Sequence, residues 1–410
     1  MATAAFSVVS TRAFAPRTVS EPGRRDHRTR PRRAPNQSPV TKTTFRVSSR
    51  RCISTHASSD DSFLPNSLGT MGAAIELRSR LRDVDLERQA TRGGRDGDGW
   101  EEVGGAWVRI PPGRAWGVVH FIGGAVLGSY PHIAYDTFLS KLCDDASVVV
   151  VATPYELGTD HGAISSECVG KLNSAWSQIA ARENYNVTTT PVFAAGHSLG
   201  CKLQLIASCG EGDDSDTDSN NSSLKPSNPQ RAGHLFIAFN NATAADSVKL
   251  LEKFAREVLK KRAETASGGD KTMNDAFDNF TRNLPNLTKL AERAASAVGL
   301  DFTPSPSETM EATRRRFESP KVRLVKFEND DLDQNADLEE ALNNRYKNLV
   351  QGDAPVSSIT LEGTHLTPVF FKFDGAGLSP VFAKLGGVKV GDEEQVARLA
   401  EDGVKWITGR

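Results

Sequence analysis

The sequence contains no apolar run approaching the ~20 residues a helix needs to cross a bilayer, so no stretch of it reads as a membrane-spanning helix. Cysteine is scarce, and Cys52, Cys143, Cys168, Cys201 and Cys209 include no C-x-x-C pair. That spacing excludes a paired-thiol motif and reads as reduced, mostly buried thiols in a non-secreted protein. Acid is almost missing from the first 51 residues, where Glu21 and Asp26 face eleven arginines and Lys42, a local net charge of +10. The other 38 basic and 49 acidic residues leave the rest at about −11, although the whole chain sums to only −1. A body this acidic lacks the clustered cations that neutralise phosphates, so nucleic acid is not an expected partner.

Residues 1–57 are rich in Ala, Ser, Thr, Pro and Arg, without the 7–15-residue apolar core of a secretory signal. This composition predicts an organelle transit peptide, chloroplast rather than mitochondrial, with processing near Val47–Cys52; a disordered basic arm is the alternative. Residues 58–98 read as a linker around a short charged helix, Ala73–Ala90, that ends in glycine turns at Gly93, Gly94 and Gly97. The remainder, 99–410, is expected to form the main domain.

Within it, strand and helix patterns alternate. Ala106–Ile110 and Ala115–Phe121 read as strands, and a helix is expected over Ile133–Leu142. The unbroken run Ser147–Ala152 has the texture of a parallel strand buried on both faces. A helix over 165–182 leads to the apolar stretch Pro191–Ala195, and later strands are expected at His234–Phe239, Val322–Phe327 and Val356–Leu361. This alternation predicts a mostly parallel, doubly wound α/β sheet. Two stretches interrupt it. Residues 211–230 are acidic and low in complexity, a surface loop. Residues 244–318 carry amphipathic spacing (Val248, Leu251, Ala255, Val258; then Phe277, Phe280, Leu284) and predict a helical cap over the strand ends, which either binds an apolar substrate or packs only as helical decoration.

The chemistry converges on Gly196-His197-Ser198-Leu199-Gly200. A strand runs into it and a helix leaves it, with Leu199, Leu203, Ile206 and Ala207 at helical spacing. A serine between glycines at such a corner is held exposed at the carboxyl edge of the sheet, as a nucleophile requires. Its base and orienter should follow in the chain, each at a strand end. His365, after Val356–Leu361, is the best-placed histidine. Asp330, the first aspartate after Val322–Phe327, is the preferred acid, with Asp333 the runner-up and Asp331 third. The amide of Leu199 and one in the Gly124–Ala125 region are the expected oxyanion donors, because glycine lets a backbone amide approach closely. The chemistry so read needs no metal and no cofactor.

The stretches HFIGGAVLGSYP (120–131), VVATPYELGTDH (150–161), GHSLGCKL (196–203), FNNATAADS (239–247), FTPSPSET (302–309), FENDDLDQ (327–334) and GTHLTPV (363–369) resemble a plastid and cyanobacterial α/β-hydrolase-like family, domain of unknown function 1350. The resemblance spans roughly residues 100–385 and implies a plastid-targeted protein with the α/β-hydrolase fold, but no substrate. Both Asp330 and Asp333 fall within the matching motif, so the choice between them stays open. Asp160-His161 also recurs in the family pattern, as a loop-capping pair or at the rim of the site. The expected function is a chloroplast serine hydrolase acting on a small acyl ester or lipid. The alternative is a non-catalytic binding or assembly factor on the same scaffold, a reading helped by Phe327, which stands where a G-x-x-D signature before Asp330 would hold glycine. An acyltransferase using the same acyl-enzyme is a third. Peripheral membrane contact and oligomeric state are left open.

Overall fold

Strand β4 (Val148–Ala152) is buried at every position because it serves two cores at once. Val148, Val150 and Ala152 join a cluster with Phe138, Leu139 and Leu142, whereas Val149 and Val151 join another with Leu172, Trp176 and Ile179. An alternating pattern would leave one of these faces polar, so the run is apolar throughout.

In the computed structural model the described residues are 78–79, 81–86, 99–210, 230–243, 246–247, 302–347, 349, 355–373 and 388–410. The chain divides into two units, Met1–Asp60 and Asp61–Arg410, and the fold is that of the second. The expected targeting segment 1–57, most of the linker, the acidic stretch 211–229 and cap residues 248–301 lie outside the described residues.

Eight strands form one sheet. They are β1 (Trp100–Val103), β2 (Ala106–Arg109), β3 (Gly117–Ile122), β4, β5 (Val192–His197), β6 (Arg231–Ile237), β7 (Val322–Asn329) and β8 (Val356–Thr364), in the spatial order β1-β2-β4-β3-β5-β6-β7-β8. The antiparallel strands β1 and β2 lie at one edge; the other six run parallel. Helices α1 (Asp136–Ala146) and α6 (Glu393–Thr408) pack together on one face. Helices α2 (His161–Glu183), α3 (Leu199–Cys209), α4 (Pro306–Arg316) and α5 (Asn335–Lys347) lie on the other. This is the mostly parallel, doubly wound α/β-hydrolase fold expected. A small hairpin, β9 (Phe371–Phe373) with β10 (Val388–Val390), stands apart from the sheet.

Helix α2 begins four residues earlier than its apolar spacing suggests, because the Asp160 carboxylate caps it, accepting from the Ala163 amide at 2.8 Å. Of the expected cap, the described part includes α4, which packs against α3 and α5 rather than over the strand ends. Just ahead of α4, Thr303 is stitched to the start of α2 by backbone hydrogen bonds with Thr159 and Gly162. At the amino-terminal edge of the strands, the chain leaves α3 at Gly210 and re-enters β6 from Gln230, and both residues border one depression. Among the described residues no helix is long and apolar enough to cross a membrane.

The strand order reverses at β3, which has β4 on one side and β5 on the other. Chains leaving the carboxyl ends of β3 and β5 therefore diverge and open a crevice, the usual place for a ligand in such a sheet.

Candidate active site

Ser198 stands in that crevice, between the last residue of β5 and the first of α3. Its backbone has φ 54° and ψ −121°, a conformation that costs any residue with a Cβ and that persists because the surroundings enforce it. The flanking glycines show how. A Cβ on Gly200 would lie 2.0 Å from the carbonyl oxygen of Ile122, and one on Gly196 would lie 2.7 Å from the amide nitrogen of Cys201. Only glycine lets the corner press against β3 and against its own helix. The Ser198 amide donates to the Ile237 carbonyl at 3.0 Å, tying the corner to β6.

Two more strand ends supply the partners. Strands β7 and β8 pair as far as Asn329 opposite Thr364, after a register shift at Phe327–Asn329. The next residues, Asp330 and His365, emerge side by side. Nδ1 of His365 is 2.8 Å from Oδ2 of Asp330, and Nε2 is 2.9 Å from Oγ of Ser198. The Asp330 side chain is fully buried, and its other oxygen accepts the Leu332 amide at 2.9 Å. A buried carboxylate accepts and does not donate, so Nδ1 carries the proton and Nε2 is free to accept from the serine hydroxyl.

The other two aspartates point elsewhere. Asp333 accepts from the backbone amide and side-chain amide of Asn335, at 2.9 and 2.6 Å. Burial pushes its carboxyl up to about 6, and the neighbouring Asp330 adds to the rise. Asp331 is exposed.

The expected oxyanion donors divide. Leu199 begins α3, and its amide makes no hydrogen bond to a described residue. Gly124 is corrected: its amide donates to the Tyr135 hydroxyl at 2.8 Å and is therefore occupied. Sequence gives no warning of this, because Tyr135 reaches back from the start of α1. Ala125, the next residue, lines the same crevice and has an amide with no described acceptor. A Cβ on Gly124 would lie 3.2 Å from Cβ of Ser198 and 3.1 Å from Nδ1 of His197, so the loop after β3 presses directly on the serine.

A second polar chain, absent from the sequence reading, runs behind this one. Nδ1 of His197 is 2.9 Å from the Tyr135 hydroxyl, and Nε2 is 2.8 Å from the backbone carbonyl of His365. Burial pushes the His197 imidazole down to about 3, with the neighbouring His365 contributing, and holds the Tyr135 phenol far above its ordinary value.

Ser198 and His365 open into a cavity of about 410 Å³ whose walls are largely apolar, including Val126, Leu127, Leu157, Leu332 and Leu366. The size suits a small ligand or an acyl chain. His161 also lines it, stacked on Phe302 with ring centroids 4.1 Å apart, while its neighbour Asp160 caps α2. Lys202, one turn along α3 from the serine, is buried against the cavity with its ammonium 5.5 Å from the Phe302 ring centre. Among the described residues no group of three or more His, Cys, Asp or Glu side chains could hold a metal ion.

Among solved structures, the Francisella virulence factor BioJ is similar at 14% identity, covering 81% of this chain and 93% of its own, with a TM-score of 0.42. Carboxyl esterase 2 of the mycorrhizal fungus Tuber melanosporum matches at 14% identity, 73% and 81% coverage and a TM-score of 0.38. A hyperthermophilic esterase of the archaeon Pyrobaculum calidifontis matches at 13%, 82% and 94%, and 0.39. Similarity this distant carries no activity over to the chain. None of the curated proteins matches it. A family model described as "Protein of unknown function (DUF1350)" matches residues 99–408.

Proposed function

Because the chain belongs to the DUF1350 family, whose description names no reaction, we propose a function from its own residues: a serine hydrolase of the carboxylic-ester type, acting on an ester with an apolar acyl group. The observation that carries this reading is the unbroken hydrogen-bond chain Ser198–His365–Asp330, assembled from three strand ends at the mouth of an apolar cavity.

His365 takes the Ser198 proton on Nε2 as the hydroxyl oxygen attacks the ester carbonyl carbon. Asp330 holds the ring in the accepting tautomer and stabilises the imidazolium that forms. The carbonyl oxygen, now an alkoxide, is stabilised by the amides of Leu199 and Ala125. As the intermediate collapses, His365 gives its proton to the leaving alcohol and Ser198 carries the acyl group. Water then attacks the acyl-enzyme, deprotonated by the same imidazole, and the acid leaves with the serine restored. The leucines and valine of the cavity favour an aliphatic acyl chain by ordinary apolar burial.

The test is labelling of the full chain by a fluorophosphonate, beside Ser198→Ala and His365→Ala. Labelling that needs both residues supports the enzyme. A folded chain that stays unlabelled overturns it and favours the binding or assembly factor. We also propose chloroplast residence, stromal or thylakoid-associated, from the composition of residues 1–57; a fluorescent protein carrying that segment should enter plastids and not mitochondria.

A further inference from the structure

We propose that Tyr135 and His197 are positioning residues for this site: a hydrogen-bond chain of fixed direction through their side chains holds the loop after β3 and the loop after β8 in register with Ser198. The proposal rests on the hydrolase reading above, and its first test does not.

The direction follows from donor and acceptor inventory. The His365 carbonyl oxygen only accepts, so Nε2 of His197 carries a hydrogen and donates to it. The buried ring is neutral, so its Nδ1 is bare and accepts. The group 2.9 Å away is the Tyr135 hydroxyl, which must therefore donate its single proton to that nitrogen. A lone pair on the same oxygen then receives the Gly124 amide at 2.8 Å. Each proton along Gly124–Tyr135–His197–His365 is assigned, and each arrow runs the same way.

This chain joins parts that come from distant stretches of sequence. Gly124 carries the loop whose next residue, Ala125, lines the cavity. His197 is the residue before the nucleophile, and the carbonyl it holds belongs to the residue whose ring takes the nucleophile's proton. The Ser198–His365–Asp330 chain fixes the imidazole from its two ring nitrogens; the second chain fixes its backbone. Among the described residues, the titratable groups whose rings face His197 are Tyr135 and His365. Removing the tyrosine hydroxyl leaves Nδ1 of His197 and the Gly124 amide without partners at once, which frees the loop to turn away from the serine.

The first test is long-range nitrogen–proton correlation of histidine side chains in the full chain, with His197 identified by loss of its signal in His197→Gln. The expected spectrum has His197 protonated on Nε2 alone and unchanged from pH 8 to pH 5. Protonation on Nδ1, or titration near the ordinary 6.5, overturns the proposal. The second test is the pH profile of fluorophosphonate labelling. Tyr135→Phe and His197→Leu should lower its plateau on the order of 10- to 100-fold. His197→Gln, whose amide keeps one donor and one acceptor on neighbouring atoms, should stay within about 5-fold of the parent. Equal losses in His197→Gln and His197→Leu, or plateaus unmoved in all three folded variants, would make the roles merely structural and sink the idea. If the parent itself never labels, the hydrolase reading fails, and the histidine spectrum still decides the hydrogen-bond chain.

Discussion

Asn329 and Thr364 are register partners at the carboxyl ends of adjacent parallel strands, and the residue after each becomes part of one hydrogen-bond pair. That geometry singles out Asp330 among three closely spaced aspartates. Asp330→Asn keeps the shape but can donate where the carboxylate accepted, so it should stabilise the wrong tautomer of His365. Ester hydrolysis or fluorophosphonate labelling is expected to fall by roughly 10³- to 10⁴-fold. Asp331→Asn and Asp333→Asn should each change it by less than about 10-fold. Equal losses at 330 and 333 would contradict the assignment.

Gly200, beside the serine, gives a stability prediction whose control lies on α2. Gly200→Ala forces a methyl to within 2.0 Å of the Ile122 carbonyl oxygen, backbone that cannot step aside without moving β3. A loss of about 3 kcal/mol or more in urea unfolding is expected, with activity lost beyond what unfolding explains. Gly170, on the exposed face of α2, has nothing within 4 Å of its added methyl. There alanine should gain about 0.5–1 kcal/mol.

Acid should destabilise the fold from about pH 6.5 downward, through its buried histidines. Burial pushes His197 and His234 down to about 3 and His120 well below its ordinary value. In the unfolded chain each takes a proton near pH 6.5, so the unfolded state binds more protons as pH falls. The stability these rings contribute is complete above pH 6.5 and is lost progressively toward pH 3, at about 1.4 kcal/mol per ring per pH unit. The urea midpoint should therefore drop far more between pH 6.5 and 5.5 than between 7.5 and 6.5. A flat midpoint over both intervals would show that these rings are not buried neutral.

Asp333 acts in the opposite sense. Its carboxyl titrates at about 6 in the folded chain against 3.8 for the free group. Between those values the folded state holds a proton the unfolded state has released, so its contribution is greatest below about pH 4 and is lost as pH rises to 6. Asp333→Asn should accordingly be more stable than the parent at pH 7 and show no such gain at pH 4. Denaturant midpoints of the two proteins at both pH values decide it.

The sheet was legible because its strands are apolar runs bounded by turns, and the candidate residues because they follow strand ends in a fixed chain order. Ser198, Asp330 and His365 could be named that way. Other features had no local signature. Strand β1 is WEEV, short and half polar. Helix α6 did carry a signal, with Val396, Leu399, Ala400, Gly403 and Ile407 on one face, but it follows a glycine-rich stretch that hides its start. A glycine after a strand, such as Gly124, says that its amide is approachable, not that the Tyr135 hydroxyl approaches it. Tyr135 and His197 lie 62 positions apart and His197 and His365 lie 168 apart, distances at which hydrogen bonds depend on the finished fold.

The passage from Gly210 to Gln230 leaves and rejoins the body at the end of the strands opposite Ser198. Its two described ends, Gly210 and Gln230, border one depression at the amino-terminal edge of the strands and not the cavity into which Ser198 opens. An affinity tag or a fluorophore carrier joined at those two ends would start and finish away from the lining of the Ser198 cavity.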